Sequence, residues 1–507
     1  MKKVTKVFYI SVIISLLFIV WGVIPDRILP NANLQDVTSK VQTYIVDKFG
    51  WFYLISASFF LVFSLFLIFS KYGGIKLGRP NDKPEYSYIT WFAMLFSAGM
   101  GIGLVFWGAA EPLSHFHNPP YGDPTTSDTA KTAMQYSFFH WGFHPWAVYA
   151  TIALALAYFK FRKHSSGLVS GILVPLFGER GKEVWGTIVD FIVVFATVFG
   201  VATSLGFGAI QISGGLSFVF GIDQTFIFQL MIILIVTVLY MLSASTGLNK
   251  GIKYLSNSNI VLALALMIFL LLLGPTTFIL NLFTTSFGNY IQNLPSMSFR
   301  MTPFNEDNTE WIKGWTIFYW AWWIAWAPFV GTFIARVSRG RTIREFVLGV
   351  LLVPTIFGAL WFTVFGGSAI HLEFFQGKDI YGFVNNFGEE TALFAVLENF
   401  PFSMFMSLIA ILLISTFFIT SADSATFVLG MQTTGGRLDP PNSVKLVWGI
   451  IQSGAAAVLL WQGGLEALQT ASIIAAFPFT IILLLIVFSL LKSFKQEIKE
   501  MEMRRKN

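Results

Sequence analysis

Apolar runs long enough to cross a bilayer recur along the whole of this chain, and nothing else constrains its fold as hard. About 20 consecutive apolar residues span the ~30 Å hydrocarbon core as a helix. Only helices and closed barrels satisfy their own backbone there. Such runs lie near 7–25, 52–70, 90–108, 137–159, 187–217, 225–245, 259–283, 314–336, 346–371, 402–428, 446–462 and 468–491. They predict an all-α integral membrane protein with twelve transmembrane helices. Charged residues make up 12% of the chain, about half the share in soluble domains, which excludes a soluble doubly wound enzyme. Cysteine is absent, so disulfides, thiolate metal sites and cysteine nucleophiles are excluded too.

The first run follows Lys2, Lys3 and Lys6. It is too long for a signal-peptide core and no small-residue cleavage site follows, so an uncleaved first span is expected. The stretch 284–313, with Tyr290, Pro295 and Pro303, reads as an interfacial linker. With the N-terminus inside, 26 of the 33 Lys and Arg fall in inner segments. Outer loops collect Glu306, Asp307, Glu310, Glu373, Asp379, Glu389 and Glu390. That bias orients a multi-pass cell-membrane protein with both termini cytoplasmic, and its net charge of +6 calls for no nucleic-acid partner. The basic tail 492–507 reads as an orientation signal or as a contact with anionic lipid.

Two spans break the pattern of a helix in lipid. Span 3 contains Ser97-Ala-Gly-Met-Gly-Ile-Gly103, and each glycine costs about 1 kcal/mol of helix propensity against alanine. Small residues at a packing face would also explain the three glycines; an unwound segment lining a cavity is the sharper reading. In span 8, Pro328 follows Trp322, Trp323 and Trp326, and a proline should kink or break the helix near Ala325. Interruptions at corresponding places in two halves point to a transporter of inverted repeats. The expected organisation is spans 1–2 with their inner loop (1–89), a first repeat of spans 3–7 (90–283), the linker (284–313), a second repeat of spans 8–12 (314–491) and the tail (492–507).

The aromatics gather near the same breaks. Span 4 carries Trp141, Trp146 and Tyr149; in span 8, Trp322, Trp326 and Phe329 form one helical stripe with Trp323 beside it. Tryptophans at mid-span are out of place in an interfacial belt. A cage of ring faces binds a quaternary ammonium by cation–π attraction, worth about 2 kcal/mol when desolvated.

These residues carry a family resemblance. Gly99-Met-Gly-Ile-Gly103 running on to Glu111-Pro112, the segment Trp141 to Tyr149, and above all Trp315 to Arg341 resemble the betaine/choline/carnitine transporter family over essentially the whole chain. The resemblance implies a leucine-transporter-like 5+5 inverted repeat preceded by two extra helices, usually a homotrimer, importing trimethylammonium compounds. It also implies a cage of Trp141, Trp146, Tyr149 and Trp323, a pathway lined by Trp322, Trp326 and Phe329, and substrate approached by the backbone of Gly99, Met100, Gly101 and Gly103. In sodium-coupled members the ion site corresponds to the carbonyls of Ser97, Met100 and Phe417 with the hydroxyls of Thr420 and Ser421. A second sodium site would use Thr197 and Phe329; its further threonine is Val201 here, leaving Thr203 or Ser204 to substitute. No Arg or Lys lies inside spans 5 or 10, as it does in sodium-independent exchangers, so Na⁺ is the expected coupling ion. Members that accept choline carry an Asp in the span 3 glycine segment, and none is present here. A zwitterion needs only the cage and backbone amides for its carboxylate. Sodium symport of glycine betaine is therefore expected, with proline betaine, ectoine or carnitine as competing solutes and a proton-coupled or exchange-type transporter of choline or carnitine as the alternative.

Asp190 and Asp423 are intramembrane carboxylates and candidate proton sites. Otherwise Asp190 would open span 5 as a first-turn acid, and Asp423 would pair with Arg336 or Arg339. His115, His117, His140 and His144 show no carboxylate set for a metal. No nucleophile–base pair supports an enzyme.

Overall fold

The computed structural model describes residues 4–24, 27–30, 32–99, 101–246 and 251–506, leaving the side chains of 96–99, 246, 251–253 and 504–506 outside the description. Helices α1 (Lys6–Val23) and α2 (Leu34–Phe69) open the chain. The third predicted span is two helices, α3 (Tyr88–Gly99) and α4 (Ile102–His117), and the fourth is likewise two, α5 (Ser127–Trp141) and α6 (Phe143–Ala157). A short α7 (Val169–Ile172) leads into α8 (Val174–Phe220), followed by α9 (Phe226–Thr246), α10 (Gly251–Leu273), α11 (Thr276–Ser298) and α12 (Glu306–Ile312). A π turn over Lys313–Ile317 joins α12 to α13 (Phe318–Val337). Then come α14 (Ile343–Gln376), α15 (Ile380–Phe387), α16 (Ala392–Leu397), α17 (Ser403–Thr433) and α18 (Asn442–Lys506).

Among the described residues, nine helices are long and apolar enough to cross a membrane. The count falls below twelve for physical reasons. Spans 3 and 4 are each divided into helices of 12 to 16 residues. Spans 11 and 12 share the 65-residue α18, which bends where Gly463 and Gly464 leave helical geometry. The seventh span stops at Leu273 rather than 283, because Gly274-Pro275 cannot continue a helix and a new one starts at Thr276. Much of the linker 284–313 is thus α11.

Local chemistry sets several ends. Asn33 caps α2 by accepting from Asp36 N at 2.7 Å, and Thr342 and Glu345 form a reciprocal capping box at α14. The loop after α2 pairs with the loop after α13: Leu77 N donates to Arg341 O and Gly340 N to Leu77 O, both at 2.8 Å. Arg341, 1% exposed, lies 4.0 Å from the Trp91 ring centre and 4.5 Å from that of Tyr88. This cation–π anchor ties the start of α3 to the end of α13.

Of the kink or break expected near Ala325, the break is absent: α13 is helical from Phe318 to Val337 with Pro328 inside. Packing accounts for this. Gly200 of α8 sits so close that a Cβ there would lie 2.8 Å from the carbonyl carbon of Ala325. The proline's lost amide bond is therefore borne by a helix clamped along its length.

Candidate functional site

The span 3 interruption is real. α3 ends at Gly99, α4 begins at Ile102, and Gly101 between them has φ −132° and ψ −149°. A Cβ on Gly101 would lie 3.3 Å from Trp326 Cη2 and 3.7 Å from Ser421 Oγ. One on Gly103 would lie 2.3 Å from Trp322 Cη2 and 3.1 Å from Trp141 Cη2. Gly103 lets backbone meet a tryptophan edge at a distance that any side chain would forbid, while the approach at Gly101 is looser. Met100 lies outside the described residues, and Ser97 and Gly99 are described only as part of α3.

All four expected cage residues come together, each at most 3% exposed. Trp141 meets Trp323 edge to face at 4.8 Å and 81°, Tyr149 meets Trp323 at 6.0 Å and 85°, and Trp146 meets Tyr149 at 5.5 Å and 82°. All three contacts are edge to face, an arrangement that aromatic pairs favour. α13 supplies the inner stripe. Trp322 stacks on Trp323 at 5.0 Å, Trp326 follows Trp322 at 6.4 Å, and Phe329 follows Trp326 at 5.5 Å. The buried Tyr149 hydroxyl and the Nε1 atoms of Trp322 and Trp326 have no hydrogen-bond partner within the protein. Unsatisfied buried donors cost free energy, and here three gather around one group of rings.

Behind the rings lies a polar cluster that the sequence alone did not reveal. Glu111 of α4 is fully buried. Its Oε1 accepts from His140 Nδ1 at 2.7 Å and His115 Nε2 at 3.2 Å. Its Oε2 accepts from Tyr319 OH at 2.6 Å and Trp141 Nε1 at 2.8 Å. This corrects the expectation that the histidines lack a carboxylate. Ligand atoms of Glu111, His115 and His140 lie within 4.8 Å of one another. Both carboxylate oxygens and both His140 nitrogens already have partners, however, His140 Nε2 facing Thr316 Oγ1 at 2.9 Å. Only His115 Nδ1 in this cluster lacks a partner, so a metal ion held by Glu111 and His140 would have to displace existing bonds.

The expected ion ligands meet the structure unevenly. Thr420 donates back to Thr416 O at 2.9 Å, and its oxygen accepts from Asn259 Nδ2 at 3.1 Å. Phe417 O accepts from the same hydroxyl at 3.1 Å, while Ser421 adjoins Gly101 as described above. Thr197 donates to Val193 O at 2.7 Å. Thr203 is held by Phe199 O, Leu468 O and Ser472 Oγ, and Ser204 reaches Gly200 O at 3.4 Å.

Both aspartate expectations are corrected. Asp190 lies well inside α8, where its carboxylate accepts from Ser170 N at 3.0 Å and Ser170 Oγ at 2.7 Å; it caps α7 instead of opening its own helix. Asp423 accepts from Ser243 Oγ at 2.6 Å. Arg336 stands over Phe427 and Arg339 pairs with Asp82.

The chain matches the model of the BCCT, betaine/carnitine/choline family transporter, over residues 6–499. It is 56% identical over 504 residues to the glycine betaine transporter OpuD of Bacillus subtilis, covering 99% of this chain and 96% of that one. It is 45% identical to the ectoine/hydroxyectoine transporter of Virgibacillus pantothenticus, covering 98% and 97%. With the glycine betaine transporter of Acinetobacter baylyi it shares 42% identity, over 97% of this chain and 74% of the relative. A set of long apolar helices with buried aromatics at a helix break, and matches spanning nearly every residue, leave one assignment: the chain belongs to the betaine/carnitine/choline transporter family and is a multi-pass membrane transporter, not an enzyme.

Proposed function

We propose that this chain imports glycine betaine or a related trimethylammonium compatible solute by Na⁺ symport, alternating access around the aromatic cage. The observation that carries the reading is the perpendicular packing of Trp141, Trp323, Tyr149 and Trp146 beside the Gly101 break. Ring faces hold the methylated cation, with an attraction of about 2 kcal/mol once water is excluded. The free Tyr149 hydroxyl and the free indole donors of Trp322 and Trp326 suit a zwitterion's carboxylate, and Trp322, Trp326 and Phe329 line the route inward. Na⁺ sits between the broken span and α17, held by the carbonyls of Ser97, Met100 and Phe417 and the hydroxyls of Thr420 and Ser421. The uncharged oxygens at this place suit a hard cation that must also leave. A second ion at Thr197 and Phe329 has weaker support, since the Thr197 hydroxyl is already back-bonded.

In this reading the chain crosses the membrane twelve times, with α3–α4 and α5–α6 each making one crossing and α18 making two. Spans 3–7 and 8–12 form the inverted repeats, both termini face the cytoplasm, and the assembly is a homotrimer. Radiolabelled betaine uptake into proteoliposomes tests the reading, with an imposed Na⁺ gradient set against a proton gradient alone. Accumulation only with Na⁺ is expected; accumulation driven equally by protons would replace the coupling ion. Trp323→Leu should abolish saturable uptake in protein that stays monodisperse, and unchanged affinity would refute the cage. Competition by unlabelled ectoine and choline ranks the substrate.

A further inference from the structure

We infer that Glu111 is the positioning residue of the aromatic cage, fixing Trp141 directly and Trp323 through His140. This rests on the cage reading above. Two cage tryptophans donate their indole N–H groups, and both acceptors belong to one buried network. Trp141 Nε1 donates to Glu111 Oε2 at 2.8 Å, and Trp323 Nε1 donates to the main-chain carbonyl of His140 at 2.9 Å. The His140 side chain is itself held by Glu111 Oε1 at 2.7 Å and Thr316 Oγ1 at 2.9 Å. A carboxylate only accepts, so His140 Nδ1 carries a proton towards Glu111. Tyr319 and His115 complete the shell around Glu111. Four donors thus surround one carboxylate.

The geometry explains why a carboxylate stands there. An indole wedged among other rings keeps rotational freedom unless its one polar atom is tied. The Glu111 bond selects the orientation in which Trp141 stands edge-on to Trp323 at 81°. α4 brings Glu111, α5 brings His140 and Trp141, and α13 brings Tyr319 and Trp323. The network therefore holds cage walls from two different helices against the broken span. Binding groups are precise only when a supporting layer locks their rotamers.

The experiment is a double-mutant cycle on purified protein in proteoliposomes, reading KM and Vmax for radiolabelled glycine betaine under the gradient that supports uptake. Glu111→Gln is expected to raise KM about tenfold, the scale of one lost hydrogen bond to a charged group. Trp141→Phe, which keeps a ring but removes the N–H, is expected to raise it at least as much. Adding Glu111→Gln to Trp141→Phe should then raise KM by less than about threefold, because the shared bond is already gone. Multiplication of KM by the same factor in both backgrounds, or a Glu111→Gln effect on Vmax alone, overturns the inference while leaving the cage intact. An unchanged KM in Trp141→Phe overturns the inference as well, because that variant removes the tie and keeps the ring; an unchanged KM in Trp323→Leu overturns the cage reading instead. Should Glu111→Gln not yield monodisperse protein, Glu111→Asp enters the same cycle, since it withdraws the carboxylate by one methylene and breaks the same bond. Chelation with EDTA is expected to leave the wild-type KM unchanged; a loss on chelation would make the cluster a metal centre and overturn the positioning role.

Discussion

Gly103 shows how one missing side chain shapes this protein. A Cβ there would stand 2.3 Å from Trp322 Cη2 and 3.1 Å from Trp141 Cη2, well inside contact distance, so one indole would have to leave its place. At Gly101 the nearest atom is 3.3 Å away, a distance that small adjustments absorb. Gly103→Ala is accordingly expected to raise the KM for betaine about tenfold or more, and Gly101→Ala less than about threefold. Each added clash in a packed site costs on the order of 1–3 kcal/mol. Uptake kinetics on the two variants side by side check this, and equal effects would show that the glycines serve the helix break rather than the rings. At this scale the sequence was readable where residue type alone decides. Three alternating glycines announced the break, and tryptophans at mid-span announced a buried cluster of rings. The role of Glu111 was not readable, because it depends on three helices converging, and its nearest partner in sequence, His115, looks like any histidine on an apolar face.

Among the elements, α13 departed furthest from expectation. Proline at 328 argued for a break on local grounds, yet the helix continues because its neighbours decide the matter. Gly200 is the neighbour that faces main-chain atoms, its Cα opposite the backbone of Ala325 and Trp326. A methyl group at Gly200 would strike main-chain atoms that cannot rotate away. Gly200→Ala should therefore destabilise the protein by about 1–3 kcal/mol and lower its melting temperature in detergent by several degrees. A melting curve that superimposes on the wild type would show that α8 and α13 are free to separate. Helix ends followed the sequence only in part. The bend at Gly463–Gly464 falls in the gap between the apolar runs 446–462 and 468–491, whereas the stop at Gly274-Pro275 lies inside the run 259–283 and needed the structure to show it.

For the molecule as a whole, two carboxylate sites answer pH with opposite signs. Just before α16, burial is the main influence on Glu389 and Glu390, raising both carboxyls to about 7, and Glu390 adds its repulsion to Glu389. A carboxyl raised in the folded state penalises folding once it must ionise. The cost is absent below the ordinary glutamate value, grows as pH rises towards 7 and is complete above it. The Glu389→Gln, Glu390→Gln double variant is expected to melt higher than wild type at pH 8 and level with it at pH 4.5; the reverse order would show that the charged pair is stabilising. Near the end of α18 the sign is opposite. Burial pushes Glu497 up, but hydrogen bonds and charges from Arg162 and Lys163 outweigh it and hold the carboxyl below its usual value. That contribution is present above the ordinary glutamate value and is lost as pH falls through the lowered one. Glu497→Gln should lower the melting temperature at pH 7 and have no effect in strong acid, which melting curves at the two pH values check.

Glu497 binds Arg162 through Nε at 3.0 Å and Nη2 at 2.6 Å, while Arg162 Nη1 also reaches Gly78 O at 2.8 Å. Three stretches remote in sequence thus form one mechanical joint, and whatever displaces the turn after α6 must drag the last turns of α18 with it. Because the chain has no native thiol, a single spin-labelled cysteine on those turns would read the movement of a segment 335 positions earlier without any background to subtract.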